Sequence, residues 1–298
     1  MRGLTSLAAA ALCLWASQAS ARTILFIGNS FTFGAHSAAH FYQSETVFDL
    51  NPPDKTGRTV GGVPAIFKAF TVEAGLENYD VSIETVGGQG FDYHLAEKRA
   101  LIDKPWDVVV GHGFSTLDRD HPGDPKLLVS TAKQMSDLLA ARNPAVKFYL
   151  LATWSRADMT YPEGAPWHGK PITQMGKDIA VAYDLAAKGA PRIAGVVPLG
   201  LAWNTAMETG LADDNPYDDL GASKINLWAY DHYHASVFGY YLEALMDFGQ
   251  ITGRDPQSLE KVDHVAEDLG ISPAQAKSLQ KLAHDTLAAR GVSLTMPK

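Results

Sequence analysis

Short apolar runs rich in β-branched residues alternate along this chain with longer stretches in which apolar positions recur every three to four residues. Residues 23–27, 81–86, 107–110, 147–151 and 195–197 read as strands, each followed by glycine, polar residues or a turn. Residues 64–73, 93–102, 125–142, 172–188 and 199–209 read as helices, with Pro64 and Pro125 suited to a first helical turn. Strands that alternate with helices make βαβ units, so the pattern predicts an α/β fold: a three-layer αβα sandwich around a five-stranded parallel sheet. In such sheets ligands collect at the carboxyl ends of the strands.

Further along, Val237, Tyr240, Tyr241, Leu242, Leu245 and Phe248 give one apolar helical face over 237–252. A helical C-terminal extension is expected from about residue 256, with helices over 259–269 and 273–289 and Ser272-Pro273 marking the second start. The connection 154–171 is long for a loop and holds Trp154, Trp167, Tyr161 and three prolines, which suits the rim of a site.

The first residues carry one Arg, an apolar stretch from Leu7 to Trp15, and then Ala19-Ser20-Ala21, the small-x-small pattern of a signal-peptide cleavage site. Residues 1–21 are therefore expected to be an export signal, and 22–298 a single domain of a periplasmic or secreted protein. The apolar stretch is shorter than the roughly 20 residues that span a bilayer, so no membrane association is expected after cleavage. Net charge is −8 and the basic residues form no run, which argues against nucleic acid as a partner. The single cysteine, Cys13, falls within the signal, leaving the rest without a thiol, a disulfide or a thiolate metal site.

Candidate chemistry gathers at the two ends. Ser30 follows the first strand directly, beyond Gly28-Asn29, where the chain must leave the sheet at its carboxyl edge. Serine in that place also caps helices, so Ser30 has a structural reading beside the nucleophilic one. Asp231 and His234 stand three apart before the 237–252 helix, a spacing at which a carboxylate orients one imidazole nitrogen and leaves the other free as a base. The same spacing recurs at Asp118 and His121, so context rather than spacing selects the later pair.

Gly28-Asn29-Ser30-Phe31-Thr32 resembles the first block of the SGNH (GDSL-like) hydrolases, and Asp231-x-x-His234 followed by Gly239-Tyr240-Tyr241-Leu242 resembles their last. The resemblance runs from about Thr23 to Thr252. It implies a flavodoxin-like sheet, Ser30 as nucleophile, His234 as general base and then acid, and Asp231 as the group that orients His234. It also implies an oxyanion hole from the Ser30 N–H and a glycine N–H in Gly87-Gly88-Gln89-Gly90, Gly88 ahead of Gly90. One block departs: where the family carries an Asn after the third strand, this chain reads Gly111-His112-Gly113, and His112 is expected as the replacement donor. Thr32, Phe33 and His36 are expected to line the cleft floor.

The implied reaction is hydrolysis of a carboxylic ester through a seryl acyl-enzyme, with no cofactor and no metal. An O-acetyl group on a saccharide is the expected substrate, with Trp154 and Trp167 as the sugar-contacting faces. Three other readings stay open. One is a non-catalytic carbohydrate-binding protein that lost its oxyanion donors. Another is a thioesterase or lipase of the same family. The third is a metal-dependent phosphoesterase built on His36, His40, His232 and Asp231.

Overall fold

The computed structural model describes residues 21–53, 55, 57–76, 79–259 and 263–297. The export signal expected over 1–21, with Cys13, lies outside the described residues except for Ala21.

Parallel strands form one sheet: β1 (Arg22–Gly28), β2 (Phe48–Asp49), β3 (Tyr79–Thr85), β4 (Val108–Gly111), β5 (Lys147–Leu151) and β6 (Ile193–Val197). Their spatial order is β2-β3-β1-β4-β5-β6. The sheet thus has six strands rather than the expected five. The extra one, β2, is a two-residue edge whose Phe48 is exposed, too short for an alternation to register in sequence. Without β2 the order is that of the flavodoxin-like folds, and the strand order reverses between β1 and β4.

The apolar runs are continuous because the sheet is covered on both faces. On β1, Ile24 and Phe26 join one core while Leu25 and Ile27 join the other, as a two-residue side-chain period requires. On β4, Val108 and Val110 divide from Val109 in the same way.

The α-helices among the described residues are α1 (Gly62–Glu73), α2 (Phe91–Glu97), α3 (Arg99–Ile102), α4 (Lys126–Arg142), α5 (Thr173–Gly189), α6 (Leu199–Glu208), α7 (Val237–Thr252), α8 (His264–Asp268) and α9 (Pro273–Ala289). Helices α1, α6, α7, α8 and α9 pack on the Ile24/Phe26 face, and α2 to α5 on the Leu25/Ile27 face. The single helix expected over 93–102 is two, α2 and α3, which meet at Lys98 with φ −116° and ψ 7°. Of the helix expected over 259–269, the described residues show α8, which starts where the Asp263 carboxylate caps the Ala266 N–H. Helix α9 begins at the expected Ser272-Pro273, where Ser272 and Gln275 form a capping box. Among the described residues no helix is long and apolar enough to cross a membrane.

Candidate active site

Strand β1 delivers Ser30 to the carboxyl edge, and the reason for Gly28 is space rather than backbone freedom. A Cβ at Gly28 would lie 2.1 Å from Thr32 Oγ1 and 2.6 Å from His112 Nε2. Beyond the strand, Asn29 holds the corner: its Oδ1 accepts the Phe31 N–H at 3.1 Å and its Nδ2 donates to the Gln89 carbonyl at 2.9 Å. Asn29 thereby ties the Ser30 loop to the 87–90 glycine loop, a role the sequence reading did not assign. An asparagine between a glycine and the candidate serine was the available signal.

The chain after Ser30 makes turns instead of an α-helix, with Phe33 N–H on the Asn29 carbonyl and Ala35 N–H on the Ser30 carbonyl. Ser30 therefore caps no α-helix. From α7, the Tyr240 hydroxyl reaches the carbonyls of Ser30 at 3.3 Å and Ala35 at 3.1 Å, pinning this loop to the far end of the chain.

The second half of the site is a turn closed by Asp231. Its Oδ1 accepts the N–H groups of Tyr233 at 3.2 Å and His234 at 3.0 Å, and its Oδ2 lies 2.5 Å from His234 Nδ1. A carboxylate only accepts, so Nδ1 carries the proton and Nε2 is bare. His232, with φ +57°, bends the chain between them. The turn is held from outside as well: Trp154 Nε1 donates to the Tyr233 carbonyl at 3.2 Å, and the Ala157 and Asp158 N–H groups reach the His232 carbonyl.

Asp118 and His121 form the same local turn, with Asp118 Oδ1 accepting the Asp120 and His121 N–H groups. There, however, the imidazole is 3.7 Å from the carboxylate and its side chain is 78 % exposed. The spacing makes the turn; burial against the loop that follows β1 makes the site.

His234 Nε2 is sealed from solvent and has no hydrogen-bond partner, so the Ser30 hydroxyl and this nitrogen share no bond here. The two loops are nevertheless adjacent: the Phe31 ring stands edge-on to His234 with centroids 5.7 Å apart. Unliganded catalytic sites are commonly this loose and tighten around substrate.

Electrostatics suit a neutral imidazole. Burial, together with nearby His36 and Arg156, holds His234 below its ordinary pKa, although Asp231 pulls the other way. Burial alone would push Asp231 up, but hydrogen bonds from the His234 ring and from the His234 and Tyr233 N–H groups outweigh it and keep the carboxyl below its ordinary value.

Three expected roles need correction. His112 is buried, its Nδ1 donates to the Gly113 carbonyl at 2.9 Å, and its Nε2 therefore accepts from Thr32 Oγ1 at 2.9 Å. Both nitrogens are engaged, and burial pushes its pKa down to about 4, so it has no N–H to offer an oxyanion. Trp154 is fully buried, stacked between Phe31 at 3.9 Å and Trp203 at 4.9 Å, and presents no face to a substrate. Trp167 is equally enclosed, its Nε1 donating to Asp178 at 2.8 Å. The 154–171 loop does rim a cavity, but through Arg156 and Met159.

The glycine pair separates clearly. Gly88 has φ +69°, is exposed and lines that cavity beside Asn29, whereas Gly90 is packed so that a Cβ would meet Phe114 at 2.8 Å.

Of the four residues of the metal reading, His36 and Asp231 meet, but His40 and His232 are turned to other partners. His40 Nδ1 bonds the Phe33 carbonyl at 2.8 Å, and the His232 ring packs on Tyr217. A different trio does converge: His36, Asp231 and His234 place ligand atoms within 4.8 Å of one another. His36 Nε2 is 3.7 Å from Asp231 Oδ2, and the Tyr230 hydroxyl lies 2.7 Å from His36 Nδ1.

No family profile matches the chain and no curated protein is found similar to it. Solved structures do match in fold. A DUF4886 family protein from Bacteroides uniformis aligns with TM-score 0.60 at 17 % identity over 92 % of this chain and 97 % of its own. A protein described as a GDSL-like lipase from Parabacteroides merdae gives 0.52 at 16 % identity, over 78 % and 96 %. One described as an SGNH hydrolase from Slackia heliotrinireducens gives 0.50 at 18 %, over 78 % and 100 %. The chain has the SGNH-like fold that its end motifs imply.

Proposed function

We propose that this chain is a serine ester hydrolase in which Ser30, His234 and Asp231 act in series. The observation that carries the reading is the Asp231–His234 contact at 2.5 Å, which leaves a bare, buried Nε2 beside the Ser30 loop. His234 would take the Ser30 proton as Oγ attacks the acyl carbonyl, then return it to the departing alcohol. A water molecule would repeat the sequence and release the acid. The Ser30 and Gly88 N–H groups are the oxyanion donors of this scheme, and His112 takes no part in it.

The substrate we favour is a short-chain ester, an O-acetyl group on a saccharide first, met outside the cytoplasm after export. The cavity beside Asn29, about 220 Å³, admits one small group next to the Ser30 loop, which suits a compact ester. Reaction with a fluorophosphonate ester tests the assignment: peptide mapping should find the adduct on Ser30, and labelling of other serines instead would reject it.

A metal site on His36, Asp231 and His234 is the competing reading, favoured by their convergence. It would take His234 out of the base role, so the two exclude each other. Dialysis against EDTA leaves turnover unchanged under the first and abolishes it under the second. The non-catalytic binding reading draws on the loss of His112 as a donor, and it predicts no turnover in any buffer.

A further inference from the structure

The cavity at the β1/β4 reversal is lined by two cationic side chains, Arg119 and Arg156, and by no carboxylate. In a chain of net charge −8 this is a local reversal of sign. Both guanidinium groups are held in place. Arg156 lies 3.5 Å from the centroid of the Tyr233 ring, forks onto Asp158 at 3.0 and 2.5 Å, and donates through Nη1 to Ser115 Oγ at 3.1 Å. Arg119 lies 4.7 Å from the centroid of Phe114 and donates through Nη2 to the Gly88 carbonyl at 2.7 Å and to Gln89 Oε1 at 3.4 Å. Rigid, ring-stacked arginines with spare fork donors match a carboxylate in shape and charge.

Asp158 compensates the Arg156 charge, but Arg119 meets only neutral oxygens, and no carboxylate among the described residues pairs with it. The cavity's position matters as much as its charge. Asn29 and Tyr233, which line it, are the chain neighbours of Ser30 and His234. At about 220 Å³ it is smaller than the roughly 300 Å³ at which ordinary ligand pockets begin, so it takes one small group adjoining the reacting ester.

We infer that this cavity is an anion subsite, and that the protein acts on esters carrying a carboxylate close to the scissile bond, with Arg119 as the principal recognition group and Arg156 as its partner. The inference rests on the esterase reading for what happens to the ligand, though not for its binding. The carboxylate can sit on the alcohol side, as in an acetylated sugar acid, or on the acyl side, as in a dicarboxylate monoester.

Two isosteric pairs separate these sources: a methyl 3-O-acetylglucuronoside against its 6-amide, and monomethyl succinate against methyl succinamate. Calorimetric titration of the Ser30→Ala protein, whose alanine leaves a bound ester intact, reads binding without turnover. One carboxylate ester should bind about tenfold tighter than its amide, the size expected of a charge-assisted hydrogen bond. Adding Arg119→Gln should reduce that ratio to about twofold or less, and raising NaCl should weaken the carboxylate ester alone. Arg119 is exposed, so its replacement should leave the fold intact, which circular dichroism checks. Equal binding of acid and amide in both pairs, binding of neither, or a preference that survives Arg119→Gln overturns the inference. Failure of the esterase reading shows separately, as equal ester turnover by wild type and Ser30→Ala.

Discussion

The Thr32 hydroxyl donates to His112 Nε2 across 2.9 Å, joining the loop after Ser30 to the end of β4. Because Nδ1 already serves the Gly113 carbonyl, the pair is a closed structural unit at the place where the sequence resemblance leads one to expect an oxyanion donor. Thr32→Val leaves Nε2 buried and unpaired, and should cost about 1–3 kcal/mol in urea unfolding. The neutral His112 has a folded pKa pushed down to about 4, below that of the unfolded chain. The unfolded state therefore binds the extra proton between about pH 6.5 and 4, and stability falls as pH drops through that window. His112→Gln should remove that part of the acid sensitivity, measurable as a shallower loss of unfolding free energy between those pH values.

Gly28→Ala drives a methyl group into the same pair, at 2.1 Å from Thr32 Oγ1 and 2.6 Å from His112 Nε2. Neither group is the free end of a flexible chain, so the corner must open. The expected cost is about 1–3 kcal/mol, with a fall in turnover as Ser30 moves off the edge of the sheet. Thermal unfolding and ester assays of the purified variant check both parts.

How much of this was legible beforehand differs by residue type. The β1 run announced a buried strand, and the short spacing from Asp231 to His234 announced a carboxylate able to orient the imidazole, though not the turn that the carboxylate closes. The need for Gly28 could not be read from the sequence, because the groups that would meet its Cβ belong to Thr32 and to the distant His112. His112 looked like a donor because spacing cannot show that both ring nitrogens are engaged. Trp154 and Trp167 were misplaced for a related reason: indole carries no sequence mark of burial, and a loop can rim a site through an arginine while hiding its aromatics. The two-residue β2 had no period to read.

Asp231 fixes the tautomer of His234, so Asp231→Asn should lower kcat by about a thousandfold or more while leaving the fold intact. Burial, with Arg156 nearby, holds the His234 pKa below its ordinary value of 6.5. The base form is therefore present at neutral pH, and kcat/KM should rise with pH below that value and level off above it. A profile whose inflection lies above pH 7 would assign the base to another group.

On α7, Glu243 and Asp247 are fully buried, one turn apart, and burial pushes both carboxyl groups well above their ordinary range. Such an acid stays protonated in the folded state while the unfolded chain releases the proton, so stability is lost as pH rises from the ordinary carboxyl range. Asp247→Asn should flatten that decline by up to about 1.4 kcal/mol per pH unit and raise stability at neutral pH. Urea melts at pH 5 and pH 8 measure the difference.

Turnover of p-nitrophenyl acetate by the wild type and by Ser30→Ala bears most directly on the whole account. The proposed chemistry predicts measurable hydrolysis by the wild type and a loss of at least about a thousandfold in the variant, with the fold unchanged. Equal rates in the two proteins, whether fast or at background, would contradict it.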